Sequence, residues 1–272
     1  MHIVTADSLR AVAFLSVLMA AGVVPIAPSR GEAPIIGAEL DLSAWTRTFT
    51  DDFDTLDISA RGPGTRWTAH VPWGGDFGDA RFTDPVAGFP FTVSGGTLRI
   101  EARKVAGIWR SGLIASVDSK GIGFAQRYGY FEIRARMPSG TGVWPAFWLV
   151  GLDRSTTTAE IDVLEYYGAY PDQFKSVAHV WNRQDARSSY SSANRHAAPG
   201  ATERFNTFGA DVEEEWITFY FNRRAVWRTP TKPEHRQPLY VMANLALGGG
   251  FPITDTPDPS VLLIDYIHVY AR

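Results

Sequence analysis

The sequence predicts an all-β fold, an antiparallel β-sandwich of jelly-roll type, on three observations. Short stretches of alternating apolar and polar residues recur at fairly even spacing, the two-residue period of half-buried strands. Glycine and proline punctuate the intervals between them. No long amphipathic helix and no internal repeat interrupts the pattern. Strands of this kind bury one face each, and two facing sheets let them do so.

At 272 residues with 45% hydrophobic content, the chain is long enough for one all-β domain with a sizeable core. A formal net charge of -3 gives no reason to expect nucleic acid or an anionic membrane surface as partner. Cysteine is absent, which excludes a disulfide scaffold and a lipid-anchored N-terminal cysteine. Aromatic residues reach 13%, and Trp and Tyr join an apolar face to a polar edge. Residues 11–27 are almost purely apolar, follow Arg10, and are short for a membrane span. Residues 1–33 therefore read as a secretory signal peptide, with an uncleaved anchor as the alternative, and 34–272 as a single domain. A secreted or periplasmic location follows, with no membrane contact after cleavage.

Residues 35–50 read as lead-in, and 49–54 open the domain. The stretch 61–88, rich in Gly, Pro and aromatics, has no sustained period and reads as an ordered loop. Within it Trp73-Gly74-Gly75-Asp76-Phe77 can line a cleft or plug a sandwich edge. Strands are expected at 91–93, 97–103 and 111–116. In 128–137, Phe131, Ile133, Ala135 and Met137 share one face and Tyr130, Glu132, Arg134 and Arg136 the other. Residues 143–150 form a buried-looking strand with Trp144, Ala146 and Trp148 on one side. Residues 177–181 place Val177, His179 and Trp181 together. Residues 205–212 and 216–221 read as a pair, Asn222-Arg223-Arg224 as a turn and 225–227 as the return. Two late strands, 239–247 and 261–270, flank the loop Gly248-Gly249-Gly250.

One stretch is out of character. Glu160-Ile161-Asp162-Val163-Leu164-Glu165 carries three carboxylates on a strand built from Ile, Val and Leu. Glu160 and Asp162 share a face, whereas strict alternation sends Glu165 to the other. One extra residue at Val163-Leu164, a β-bulge, would bring Glu165 back beside them. Three carboxylates at close quarters would push at least one proton affinity up and leave another group ionised. That is the equipment for glycosidic-bond cleavage, which in its retaining form needs two carboxyl groups about 5 to 5.5 Å apart. Glu160 is then the candidate nucleophile, Glu165 the acid/base, and Asp162 the group that shares a proton with the nucleophile. A strand whose carboxylates face solvent or pair with Arg134 and Arg136 satisfies the same spacing. His179 on the next strand and the platforms Trp144 and Trp148 favour the catalytic reading.

The chain resembles glycoside hydrolase family 16, the β-jelly-roll endoglycanases. The resemblance rests on 142–148 (Gly-Val-Trp-Pro-Ala-Phe-Trp), on 160–165, on Asn244-Leu245-Ala246-Leu247-Gly248-Gly249 and on 264–270 (Ile-Asp-Tyr-Ile-His-Val-Tyr), with weaker echoes at 128–134 and Ser111-Gly112. It spans roughly 49–270. It implies a retaining, endo-acting hydrolase with a concave substrate groove, Glu160 as nucleophile, Asp162 as assistant and Glu165 as acid/base. The extra residue before Glu165 matches the bulged, laminarinase-like and galactanase-like branch. By the same resemblance, His179 contacts the acid/base, Trp144 and Trp148 line the groove, and Asn244 belongs to the substrate-binding set.

The sequence departs from many laminarinase-like members at Ser155-Thr156-Thr157-Thr158-Ala159, where they carry a Trp-Pro pair. The segments 73–77 and 179–183 depart too, which makes Trp73, Trp181 and Arg183 candidates for another sugar, an acidic exopolysaccharide among them. The resemblance also implies a structural calcium at Asp265, with backbone oxygens near Asp52 and Gly96; oxygen ligands suit such a cation. No cofactor is expected for catalysis. The expected partner is a polysaccharide, most readily a β-1,3- or mixed β-1,3/1,4-glucan, and the chain is expected to be a monomer. A galactan or exopolysaccharide depolymerase, a transglycosylase and a non-catalytic carbohydrate-binding module are the alternatives.

Overall fold

The computed structural model describes residues 37–272, which belong to one compact unit. The signal peptide expected at 1–33 lies outside them. Two sheets face each other, and apolar residues from both fill the space between: Phe91, Ile100, Phe131, Ile133, Phe208 and Ile267 from one, Phe147, Leu149, Ile161, Val241 and Leu245 from the other. This is the two-sheet sandwich of jelly-roll type that the alternation predicts. The sheets are mixed, because two short marginal pairings, Ile58–Ser59 with Trp67–Thr68 and Arg81–Phe82 with Ile108–Ser111, run parallel.

The sheet that carries the acidic strand has five long members in the spatial order Tyr190–Ala197, Gln173–Asn182, Thr157–Glu165, Val143–Gly151 and Leu239–Leu247. All four neighbouring pairs are antiparallel. The strand Tyr190–Ala197 had no clear signal in the sequence. It is an edge strand, polar at nearly every position, so burial leaves no alternation to read. The lead-in likewise ends in a strand, Thr46–Asp51, held against the C-terminal strand Ser260–Ala271.

In the opposite sheet, Gly129–Arg136 turns Phe131, Ile133 and Ala135 into the core as expected. Its other face is not uniformly solvated. Glu132 is fully buried and accepts hydrogen bonds from Tyr130 Oη (2.8 Å), Tyr266 Oη (2.9 Å) and both Nε and Nη2 of Arg223 (2.9 and 2.8 Å). A buried carboxylate needs such partners, since an unpaired one would cost several kcal/mol, about 3 or more.

Candidate active site

The acidic strand bulges at Val163. Along its pairing with Val143–Gly151, Phe147 opposes Leu164 and Trp148 opposes Asp162, so Val163 has no partner. Val163 and Leu164 both point into the core. Two consecutive inward residues reverse the parity of everything after them, and Glu165 returns to the outer face with Glu160 and Asp162. On the other side the pairing jumps from Asp162 opposite Val177 to Glu165 opposite Lys175.

The two ends of the carboxylate row differ in environment. At one end Glu160 lies opposite His179 in the ladder and accepts a hydrogen bond from the Trp181 side chain. One oxygen each of Glu160 and Asp162 and a ring nitrogen of His179 lie within 4.8 Å of one another, and His179 Nε2 is 3.4 Å from Asp162 Oδ2. Burial and the neighbouring Asp162 push Glu160 up to about 8, against the pull of His179 and Trp181. Burial and the nearby Glu165 carboxyl push Asp162 up as well, with Lys175 opposing. Two carboxyls this close and this buried share a proton. Burial pushes His179 down, so the ring is neutral near pH 7.

At the other end three donors converge on Glu165. Tyr167 Oη donates to Oε1 at 2.5 Å, Trp144 Nε1 to the same oxygen at 3.2 Å, and Lys175 Nζ to Oε2 at 3.1 Å. Tyr167 stacks on Trp144, with ring centroids 6.1 Å apart at 13°. The loop after Leu247 closes on this stack at Gly249, with φ +60; a Cβ there would sit 2.7 Å from the Trp144 ring and 2.9 Å from Tyr167, so only glycine fits.

His179 departs from its expected place. It meets Asp162 and Glu160, not Glu165, because the bulge carries Glu165 along the neighbouring strand to Lys175. Its position is fixed from behind: buried His235 accepts from Lys232 N–H through Nδ1, so its Nε2–H donates to the His179 carbonyl at 2.9 Å. Trp181 stacks on the His179 ring at 4.3 Å and remains 43% exposed.

Trp148 is 6% exposed, under the edges of Trp73 and Phe77, and donates through Nε1 to Asn244 Oδ1 at 2.9 Å. Both Trp148 and Asn244, which is fully buried, therefore underlie the surface instead of presenting a platform to a sugar. The loop 73–82 accounts for this, with Phe77 packed against Phe82, Trp144 and Trp148. Trp73 is 38% exposed, with the Arg154 guanidinium 3.9 Å over its ring. Arg183 donates from its guanidinium to the Arg154 carbonyl (2.7 Å), in the connection between the strands Val143–Gly151 and Thr157–Glu165.

Asp265 is the extra residue of a second bulge, on the C-terminal strand, and pairs with Arg134. The Asp52 carboxylate meets His268 at 2.7 Å. In this structure Asp265 thus has a guanidinium as its partner, while the Asp52 carbonyl oxygen lies against Gly96; oxygen groups of that kind would hold a hard cation. Tyr167, Lys175, Arg154 and His235 were not singled out from the sequence. Tyr167 alone had a signal, two residues beyond Glu165 and so on its face.

A family model described as glycosyl hydrolases family 16 matches residues 88–267. The chain is 32% identical over 256 residues to the endo-1,3-1,4-beta-glycanase EglC of Rhizobium meliloti (strain 1021), covering 85% of this chain and 53% of that protein. It is 30% identical to a beta-glucanase of Rhodothermus marinus, over 65% of this chain and 69% of that one. The chain thus spans about half the length of the first of these relatives, 53%. Its fold matches the catalytic domain of an endo-1,3-beta-glucanase (laminarinase) from Thermotoga petrophila RKU-1, with a TM-score of 0.65 at 24% identity over 84% of this chain and 98% of that one. With a sandwich of this topology, a bulged row of three carboxylates on its outer face and a family model matched over most of its length, the chain belongs to glycosyl hydrolases family 16.

Proposed function

We propose that the chain is a retaining, endo-acting hydrolase of internal β-glycosidic bonds in a β-1,3- or mixed β-1,3/1,4-glucan backbone. The observation that carries this reading is the Val163 bulge, which sets a proton-sharing carboxyl pair and a separately held carboxyl on one face. When the shared proton sits on Asp162, Glu160 is the carboxylate. It attacks the anomeric carbon while the bond to the leaving oxygen breaks and Glu165 delivers its proton to that oxygen. Glu165 then takes a proton from water, the water oxygen bonds to the anomeric carbon, and Glu160 leaves. Neutral His179 against Asp162 keeps the pair oriented. Trp144, Tyr167 and Lys175 hold the Glu165 carboxyl in one orientation, which proton delivery at a fixed oxygen requires.

The polymer is too large to enter a cell, and we place the enzyme outside the cytoplasm as a monomer. Fractionation of the producing cells and size-exclusion chromatography test those two points. The activity test is a panel of laminarin, mixed-linkage glucan, agarose, carrageenan and bacterial exopolysaccharides, scored by reducing ends and product lengths. Oligosaccharides of several lengths are expected from a glucan-type backbone, and none from Glu160→Ala. Undiminished cleavage by Glu160→Ala would overturn the mechanism, and release of monosaccharide alone would overturn the endo assignment.

A further inference from the structure

Beyond Glu165 the outer face of the sheet turns cationic. Lys175 and Arg195 lie directly opposite each other on adjacent antiparallel strands. Like charges in that relation repel and destabilise a sheet. Lys175 reaches Glu165, whereas the Arg195 guanidinium enters no ion pair among the described residues. Both line a cavity of about 200 Å³, open on one side and about the size of one pyranose ring. Its remaining walls are mostly aromatic, with Gln173 and Gly249 between: Phe251 packs against Tyr167 at 5.4 Å and Tyr170 at 5.7 Å, and Tyr170 is exposed toward solvent.

The opposite end of the carboxylate row repeats the pattern. Arg154 lies on Trp73 with its Nε buried and without a hydrogen-bond partner, and Arg183 repels it. In a chain of net charge -3, cations are thus gathered at both ends of the row of catalytic carboxylates. Aromatic walls bind the faces of sugar rings, and a guanidinium with no ion-pair partner among the described residues binds an anion. A neutral glucan would use only the first of these.

We propose that the Lys175–Arg195 cavity is a subsite for a sugar bearing an anionic substituent, a carboxylate or a sulfate, next to the cleaved bond. The polymer is then a glycan with acidic substituents on the backbone. This proposal rests on the hydrolase reading for the position of the cleaved bond, while the binding it predicts is measured without hydrolysis.

The test uses the full chain with Glu160→Gln in affinity electrophoresis. The gels contain mixed-linkage β-glucan, the same polymer oxidised at C6 to glucuronate, or the same polymer sulfated. The unoxidised glucan is the reference, and preference for the glucuronate or the sulfate form identifies the substituent. The acidic polymer should retard the chain about tenfold more strongly, as one charge-assisted contact allows. Arg195→Ala should remove that preference and Arg195→Lys restore most of it, with salt weakening it in parallel. Equal retardation by neutral and acidic polymers, or a preference that survives Arg195→Ala, overturns the proposal. With Glu160 restored, the kcat/KM ratio of acidic over neutral polymer should collapse in Arg195→Ala. Absence of all cleavage would refute the hydrolase reading and leave the binding result standing.

Discussion

Replacing Glu160 with glutamine should stabilise the protein, and the gain should grow with pH. Burial and Asp162 push this carboxyl from an ordinary 4.5 up to about 8. Between those values the folded chain keeps a proton that the unfolded chain has released. Fewer protons are bound in the unfolded state, so stability falls as pH rises through the window. Taken from about pH 5 to about pH 8, at about 1.4 kcal/mol per pH unit, the loss is on the order of 3 kcal/mol. Glutamine is neutral throughout and carries none of it. It also leaves Asp162 with one fewer carboxylate beside it, which acts in the same direction. A domain of this size moves by about 2–4 °C per kcal/mol, so the Tm of the variant should exceed wild type by several degrees more at the higher pH. Scanning calorimetry at the two pH values reads this directly. A gap that is constant, or that narrows as pH rises, would refute a buried, proton-sharing pair at Glu160 and Asp162.

Tyr167→Phe removes the hydroxyl that donates to Glu165 at 2.5 Å, and should lower kcat about tenfold with little change in Tm; an unchanged kcat would mean that the contact does not orient the acid. Glu165→Ala should slow a substrate with a poor leaving group far more than one with a good leaving group, because only the first needs a proton on the departing oxygen. Equal loss on both, measured with aryl glycosides of graded leaving-group ability, would contradict the assignment. Trp148→Ala empties a buried site and strips Asn244 Oδ1 of its donor, and should cost about 3–5 kcal/mol in denaturant unfolding. A cost below about 1 kcal/mol would place Trp148 at a solvated surface.

The sandwich and the carboxylate-bearing strand were legible in the sequence. Apolar alternation is a one-dimensional record of burial, so strands with one buried face, such as 129–136 and 143–151, were legible. Edge strands such as Tyr190–Ala197 bury too little to leave that record. The acidic run was legible because Ile161, Val163 and Leu164 flank carboxylates that a core strand would otherwise exclude, and the surplus apolar residue marks the bulge. Tertiary structure alone decided which groups meet those carboxylates. Register along a strand advances about 3.3 Å per residue, and the bulge shifts it on one strand only, so Glu165 meets Lys175 while His179 stays with Asp162. The fate of the tryptophans was decided in the same way. Trp144 and Trp148 share a face in the sequence, yet the loop 73–82 crosses above Trp148 and leaves Trp144 on Glu165, and no local pattern foretells where a long loop comes to rest.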